Sequence, residues 1–340
     1  MRNIVITGDS LSYNRYGYDD IARMDAWDCH IGMDSWSFRL RKKIISETKG
    51  FKYADEIAFK ENAVSGLGGN TNIADAIFGE RVRTITPENG KILFKAESDN
   101  GKIVIFFQKR PQNYCRFSIS VDGIAHPERV DTFGDTALYH GYDVFAVEVE
   151  CSKDKKIHDI VFYDFENTEF SPMVTVAGVS EEFVNVAVTG QGSRTASFIN
   201  YHFKARIEKY TPDTMILIFG GNDCIYFSPE DYRENLKKLL GKVKEKFPDC
   251  RLITITIPPS GLYSGIANGK KYETQAEWDK NISRYNSVLK EVSALYNAET
   301  IETEKLFEGI PHEKWRFDEV HFTNFGNDIL FEEVCKVLQI

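Results

Sequence analysis

The feature that most constrains the fold is a change in hydrophobic period partway along the chain. Between residues 70 and 183, apolar residues recur in short alternating runs, at 91–96, 102–108, 115–121, 144–151, 158–165 and 173–176. Turn-forming stretches separate them, among them Glu88-Asn89-Gly90, Asp99-Asn100-Gly101 and Asp122-Gly123. A period of two places one face of each run against a core, and short runs punctuated by Asn-Gly and Asp-Gly turns predict antiparallel strands in a sandwich. Helical spacing is nearly absent from this stretch.

On either side the texture differs. Residues 3–7 are an apolar run that ends in Gly8-Asp9-Ser10, which reads as a buried strand entering a tight turn. Residues 34–48 carry Trp36, Leu40, Ile44 and Ile45 at helical spacing behind Asp34-Ser35, a capped amphipathic helix. After residue 183 come strand patterns at 184–188, 214–219 and 251–257, and helical patterns at 197–209, 229–246, 277–296 and 324–338. Strands alternating with helices imply right-handed crossovers and a mostly parallel sheet covered on both faces. The predicted organisation is a three-layer, flavodoxin-like α/β domain made from residues 1–69 and 184–340, interrupted at 70–183 by an antiparallel, jelly-roll-like β-sandwich.

Composition narrows the function. Hydrophobic residues make up 42% and charged residues 27%, which suits a globular chain with a sizeable core. The formal net charge is −9, and the basic stretches at 39–43 and 237–246 fall in helical patterns as solvated faces. Neither nucleic acid nor an anionic membrane is an expected partner, since both demand a concentrated basic footprint. The six cysteines, at 29, 115, 151, 224, 250 and 335, show no C-x-x-C spacing. With no signal-peptide pattern ahead of the first strand and no apolar run long enough to span a membrane, they are expected to be free thiols in a reducing cytoplasm.

Three segments carry chemistry. Ser10 stands at the end of the first strand, where an open parallel sheet presents its ligand crevice; a serine there also serves as an ordinary turn or helix cap. Asn222 lies in Gly220-Gly221-Asn222-Asp223, directly after the strand at 214–219. Its amide can donate to a developing negative charge, although Gly and Asn are also common in plain strand-to-helix loops. Asp318 and His321 have the spacing that lets a carboxylate reach the imidazole and fix its tautomer. The other histidines, at 30, 126, 140, 158, 202 and 312, form no ligand cluster in the sequence, so a metal is not expected.

Taken together, Ile6-Thr7-Gly8-Asp9-Ser10-Leu11, Gly220-Gly221-Asn222-Asp223 and Asp318-Glu319-Val320-His321 resemble the first, third and last motifs of the SGNH (GDSL-type) esterase and lipase superfamily. The resemblance covers residues 1–60 and 184–340 and leaves the middle region aside. It implies that Ser10 is the nucleophile, His321 its general base and Asp318 the residue that orients the histidine. It further implies an oxyanion hole from the Ser10 N–H, a glycine N–H and the Asn222 amide. Two stretches are similar to the glycine-bearing second motif: Asn62-Ala63-Val64-Ser65-Gly66 and Asn185-Val186-Ala187-Val188-Thr189-Gly190. Gly190 is preferred, because a helix and then the Asn222-bearing strand follow it, whereas Gly66 precedes the region of alternating runs.

The resemblance implies acyl-ester chemistry that needs no metal or organic cofactor, and it leaves the substrate open. Related esterases that deacetylate carbohydrates often carry a β-sandwich, so a carbohydrate O-acetylesterase acting on a small or oligosaccharide ester is the leading expectation. A lipase, thioesterase or acyltransferase is the alternative, and a non-catalytic carbohydrate-binding protein a third. Tyr13, Tyr16, Tyr18, Trp27, Trp36, Tyr226, Phe227, Tyr263 and Trp315 flank the motifs and are candidates for stacking on sugars or for plain packing. The glycine-punctuated stretch 258–278 is a candidate specificity loop. The sequence leaves the oligomeric state undetermined.

Overall fold

A computed structural model describes residues 2–12, 35–60, 63–65, 82–109, 114–133, 144–166, 173–261, 266–267 and 269–340. The chain divides into two compact units, one spanning Arg41–Asn185 and the other combining Arg2–Leu40 with Val186–Ile340.

The second unit is built on five strands: β1 (Arg2–Gly8), β2 (Val184–Val188), β3 (Thr214–Ile218), β4 (Arg251–Ile255) and β5 (Glu299–Ile301). Their order across the sheet is β2-β1-β3-β4-β5. The β1–β3, β3–β4 and β4–β5 ladders are parallel. Ile4, Val5 and Ile6 are all buried, as are Met215, Ile216, Leu217 and Ile218, because both faces of such a sheet are covered. The helices that follow are capped as their sequences suggest. Ser228 accepts from the Asp231 N–H ahead of Pro229–Lys246, Thr274 from the Glu277 N–H ahead of Gln275–Leu295, and Thr323 from the Gly326 N–H ahead of Asn324–Leu338. Leu236, Leu239, Leu240 and Val243 on one helix share a core with Trp278, Tyr285 and Leu289 on the next and with Val5, Met215 and Leu217 of the sheet.

In this strand order the chain leaves β1 toward one edge, returns through β2, and continues from β3 toward the other edge. The reversal falls between β1 and β3, and the crevice beyond their carboxyl ends is where open α/β sheets bind ligands. Gly8-Asp9-Ser10 and Gly220-Gly221-Asn222 both occupy that position. Gly8 has φ +156 and Gly220 φ +124, and a side chain on Gly8 would begin 2.2 Å from the Ile218 carbonyl oxygen, so β1 and β3 approach there too closely for any other residue.

The helical pattern at 197–209 is interrupted. Ala196–Tyr201 and Phe203–Arg206 are separate short helices, and a 3-10 turn follows at Glu208–Tyr210. Arg206, which in a regular amphipathic helix would be a surface charge, is buried and donates to the Thr189 carbonyl at 2.6 Å and to the Gln191 side chain. Tertiary contacts thus override the local helical preference.

The Arg41–Asn185 unit contains two antiparallel sheets. One has the order Val144–Glu150, Lys102–Gln108, Val174–Ser180, Arg83–Ile85, Ala63–Ser65, with Lys52–Tyr53 also pairing to Val174–Ser180. The other has the order Lys91–Glu97, Ile157–Glu166, Arg116–Val121, Ile124–Ala125, with Val130–Asp131 pairing to Arg116–Val121. Both feed one core, in which Ile105, Phe107 and Val176 of the first sheet meet Phe94, Phe117 and Phe162 of the second. The Phe107 ring lies 5.6 Å from Phe117 and 5.4 Å from Phe162. Lys91–Glu97 alternates buried and exposed residues, but Lys102–Gln108 is buried on both faces, with Phe106 against Phe51 at 5.8 Å. The unit begins well before residue 70, because Lys52–Tyr53 and Ala63–Ser65 supply strands too short for a two-residue period to show.

Candidate active site

Ser10 opens a short 3-10 turn, Ser10–Ser12, at the end of β1. Asp9 donates its N–H to the Ile218 carbonyl at 3.3 Å, Leu11 to the Asp9 carboxylate at 3.0 Å, and Ser12 to the Asp9 carbonyl at 3.1 Å. Ser10 itself lines the cleft. Trp36 pins the turn from outside by donating its indole N–H to the Leu11 carbonyl at 2.9 Å.

Asp318 and His321 come from a tight loop that precedes the last helix. One carboxylate oxygen of Asp318 accepts the N–H groups of Val320 at 2.7 Å and His321 at 2.6 Å, an Asx-type turn. The other lies 2.7 Å from His321 Nδ1. His321 Nε2 is 2.9 Å from Ser10 Oγ. Phe317 closes the loop by donating its N–H to the His321 carbonyl at 3.1 Å, and its ring stacks parallel to the imidazole. Burial pushes the Asp318 carboxyl upward. The hydrogen bond from His321, its charge and the two backbone N–H groups outweigh that effect and hold the carboxyl below its ordinary value.

Asn222 borders the same cleft as Ser10 and His321. Its Nδ2 donates to the Asp9 carboxylate at 3.3 Å. Asp9 is 1% exposed, and burial raises its pKa to about 6 against the pull of the Leu11 N–H, His321 and Asn222. Asp223 is buried beside it and accepts from the Ala196 N–H at 3.1 Å; burial raises it to about 8.

Gly190 is buried at the end of β2. The N–H groups of its neighbours Thr189 and Gln191 go to the carbonyls of Ile6 and Gly8. A side chain at Gly190 would begin 1.6 Å from Ser12 Oγ and 3.2 Å from the Gly8 nitrogen, so the position admits only glycine. It is not itself among the residues lining the cleft. In this stretch the wall is made by Gly192 and Ser193. Gly66, the other candidate, lies outside the described residues.

The cleft has a volume of about 130 Å³ and two kinds of wall. Ser10, Asn222 and His321 line one part, and Ile225, Ile257, Pro258, Trp278 and Ile282 another. The apolar part is held rigidly. Asn286 accepts the Ile257 N–H at 2.8 Å and returns a hydrogen bond to its carbonyl at 3.0 Å, while the Trp278 indole donates to Ser260 Oγ at 2.9 Å. None of these residues is marked by a sequence motif.

Of the candidate aromatics, Trp36 and Trp315 are core residues at 0% and 1% exposure, whereas Tyr226 is 61% exposed and follows Asn222 by one helical turn. Tyr13, Tyr16, Tyr18, Trp27 and Tyr263 lie outside the described residues. Within the candidate specificity loop, Ile266–Ala267 and Lys270–Lys271 pair as a small hairpin, and 262–265 and 268 lie outside the description. Among the described residues no group of His, Cys, Asp and Glu is arranged to hold a metal, and no helix is long and apolar enough to cross a membrane. Cys115, Cys151, Cys224, Cys250 and Cys335 are free thiols.

Residues 169–329 match the model of the GDSL-like Lipase/Acylhydrolase family. That stretch contains Asn222, Asp318 and His321 but not Ser10, and it begins within the Arg41–Asn185 unit. No curated protein matches the chain. Among solved structures, a lipase/acylhydrolase from Enterococcus faecalis is 21% identical, with 46% of this chain and 77% of that one covered and a TM-score of 0.39. A structure described as a peptidoglycan O-acetylesterase in action covers 100% of this chain and 91% of its own at 13% identity, with a TM-score of 0.46. The acetyl xylan esterase AlAXEase covers 46% and 81% at 14% identity, with a TM-score of 0.38. Overlaps this loose carry no weight for substrate.

Proposed function

We propose that this chain, which carries a GDSL-like lipase/acylhydrolase domain, is a serine ester hydrolase working through Ser10, His321 and Asp318 on short acyl groups, acetyl above all, of a carbohydrate. The observation that carries the reading is the continuous line from Asp318 Oδ2 through the imidazole to Ser10 Oγ, with contacts of 2.7 and 2.9 Å. In this reading Asp318 holds the proton on Nδ1, which leaves Nε2 as the acceptor for the Ser10 hydroxyl proton. Ser10 Oγ attacks the ester carbonyl. The oxyanion meets the Ser10 N–H and the Asn222 amide; the motif resemblance supplies the Gly190 N–H as a third donor, although Gly190 itself does not line the cleft. His321 returns the proton to the leaving alcohol, and water attacks the acyl-enzyme by the same route in reverse.

The short acyl group is argued from size. A cavity of about 150 Å³ takes a benzene ring, and a cleft of about 130 Å³ also shared by the reacting carbonyl leaves room for few carbons. The carbohydrate is argued from two exposed rings close in sequence to site residues: Tyr226, four residues after Asn222, and Phe317, 46% exposed, which stacks on His321. Aromatic faces of this kind suit the apolar faces of sugar rings. The apolar wall of Ile225, Ile257 and Ile282 favours the second reading, a lipase, thioesterase or acyltransferase with a longer acyl group. We read the Arg41–Asn185 unit as an inserted β-sandwich and the protein as cytoplasmic.

Acetate release from a panel of acetylated saccharides, by wild type and Ser10→Ala, tests the proposal. Release by the wild type with none by a Ser10→Ala protein of unchanged melting temperature is the expected result. Equal release by both would remove Ser10 from the mechanism.

A further inference from the structure

The mechanism above assigns nothing to Asp9, although it is the buried carboxylate next to the nucleophile. Its two oxygens do separate work. Oδ1 accepts the Leu11 N–H at 3.0 Å and so holds the turn that carries Ser10. Oδ2 accepts from Asn222 Nδ2 at 3.3 Å. An ionised carboxylate has no hydrogen to give, so only the amide nitrogen of Asn222 can face it. That amide carries two hydrogens. One goes to Asp9, and the other is left for the cleft that Asn222 lines with Ser10 and His321. With its oxygen and nitrogen exchanged, the same carboxamide would present a partial negative charge where the oxyanion forms.

We propose that Asp9 is a positioning residue for the oxyanion site: its carboxylate fixes the Asn222 carboxamide with the nitrogen toward the Ser10 cleft. The proposal rests on the reading of Asn222 as an oxyanion donor. The surroundings keep the contact in place. Asp9 is 1% exposed, and the backbone of Gly221 passes beside it, where a side chain would begin 3.6 Å from Oδ2. Burial opposes the charge on Asp9, while the Leu11 N–H, His321 and Asn222 favour it. A charge-assisted bond at such a buried carboxylate is stronger than one in water and holds a chosen amide orientation accordingly.

The test is a double-mutant cycle on the full chain with p-nitrophenyl acetate, using wild type, Asp9→Asn, Asn222→Ala and the double variant. Asparagine at position 9 can still accept from Leu11 while turning an amide hydrogen toward Asn222, which drives that side chain to exchange its ends. The expected result is a fall in kcat of about tenfold or more for Asp9→Asn, up to the roughly 10²–10³-fold that loss of one oxyanion donor costs. KM should stay within about twofold, and Asp9→Asn should add almost nothing in the Asn222→Ala background. An equal loss in both backgrounds, or wild-type kcat in Asp9→Asn, would overturn the proposal. Should Asp9→Asn melt early, Asp9→Ser takes its place in the cycle, since its hydroxyl can also accept from Leu11 and leaves Asn222 unheld. The same expectation and the same overturning results apply to it. Ser10→Ala run in parallel separates the two claims. Activity in that variant would sink the serine mechanism and this proposal together, whereas its inactivity beside an additive cycle would sink Asp9 alone.

Discussion

His321 Nε2 lies 2.9 Å from Ser10 Oγ although 311 positions separate the two residues in the chain. What makes the contact useful is the second nitrogen, 2.7 Å from Asp318. Replacing Asp318 by Asn keeps the shape and puts an amide donor against Nδ1, so the ring must carry its proton on Nε2, facing Ser10. Asp318→Asn is therefore expected to lower kcat by about 10⁴, as loss of the correct tautomer does in other Ser-His-Asp triads. Steady-state kinetics with p-nitrophenyl acetate measure it. A loss of less than tenfold would mean that Asp318 does not set the tautomer.

Gly190 offers a different kind of prediction, because alanine there keeps the backbone N–H and changes only space. The added methyl would begin 1.6 Å from Ser12 Oγ and 2.8 Å from Ser12 Cβ. Ser12 Oγ donates to the Asp9 carbonyl at 2.6 Å inside the turn that holds Ser10. Gly190→Ala should lower both the melting temperature and kcat, and adding Ser12→Ala should restore only part of each, since the Ser12 Cβ and the Gly8 backbone remain in the way. Full recovery in the double variant would show that the hydroxyl alone sets the fit.

These two cases also show what a sequence can reveal. Ser10, Asn222 and the Asp318–His321 pair each directly follow a strand or precede a helix, so their position in a parallel sheet could be inferred from hydrophobic period and turn residues. The apolar wall of the cleft could be inferred only in part. Pro258 and Trp278 bound the candidate specificity stretch 258–278, whereas Ile225, Ile257 and Ile282 lie on different segments and look like ordinary core residues until the fold places them together. The role of Arg206 was hidden for a similar reason: a charge in a helical pattern reads as solvent-facing, and only packing turns it onto Thr189 and Gln191. The alternating period of the middle region signalled strands but missed Lys52–Tyr53, which is held in its sheet by pairing with residues 178 and 179.

The Arg41–Asn185 unit carries its own pH dependence. Asp122 has φ +51 and accepts from Lys155 at 2.5 Å, from the Asp159 N–H at 2.9 Å and from His158 at 2.7 Å. Burial pushes its carboxyl up, but these partners outweigh that effect and lower it to about 2. A carboxyl depressed in the folded state stabilises it fully above the unfolded value near pH 4, and that contribution disappears as pH falls through about 2. With allowance for solvent screening at a partly open site, the contribution is about 1–2 kcal/mol. Asp122→Asn, which tolerates the left-handed backbone, should melt below wild type at pH 6, and the two curves should converge near pH 2. A constant gap across that range would assign the difference to packing instead of ionisation.

The acyl pocket permits the sharpest discrimination between the two functional readings. Trp278 is 2% exposed, fixed by its bond to Ser260, and lines the cleft beside Ile257 and Ile282. If it closes the acyl end, wild type should prefer acetyl and butyryl over octanoyl and palmitoyl esters of one leaving group. Trp278→Ala should then raise the octanoyl-to-acetyl ratio of kcat/KM by tenfold or more. Each methylene that finds apolar cover is worth about 0.8 kcal/mol, or roughly a factor of four, so two or three newly admitted carbons suffice for that change. The substitution also costs stability, as large-to-small changes in a packed site do, by about 3–5 kcal/mol. The ratio is the proper readout because loss of folded enzyme lowers both rates equally. A wild-type optimum at octanoyl or beyond would reject the acetylesterase reading and favour the lipase or thioesterase. It would leave the Ser10–His321–Asp318 geometry intact, since the wall that measures the acyl chain and the groups that break the ester come from different parts of the cleft.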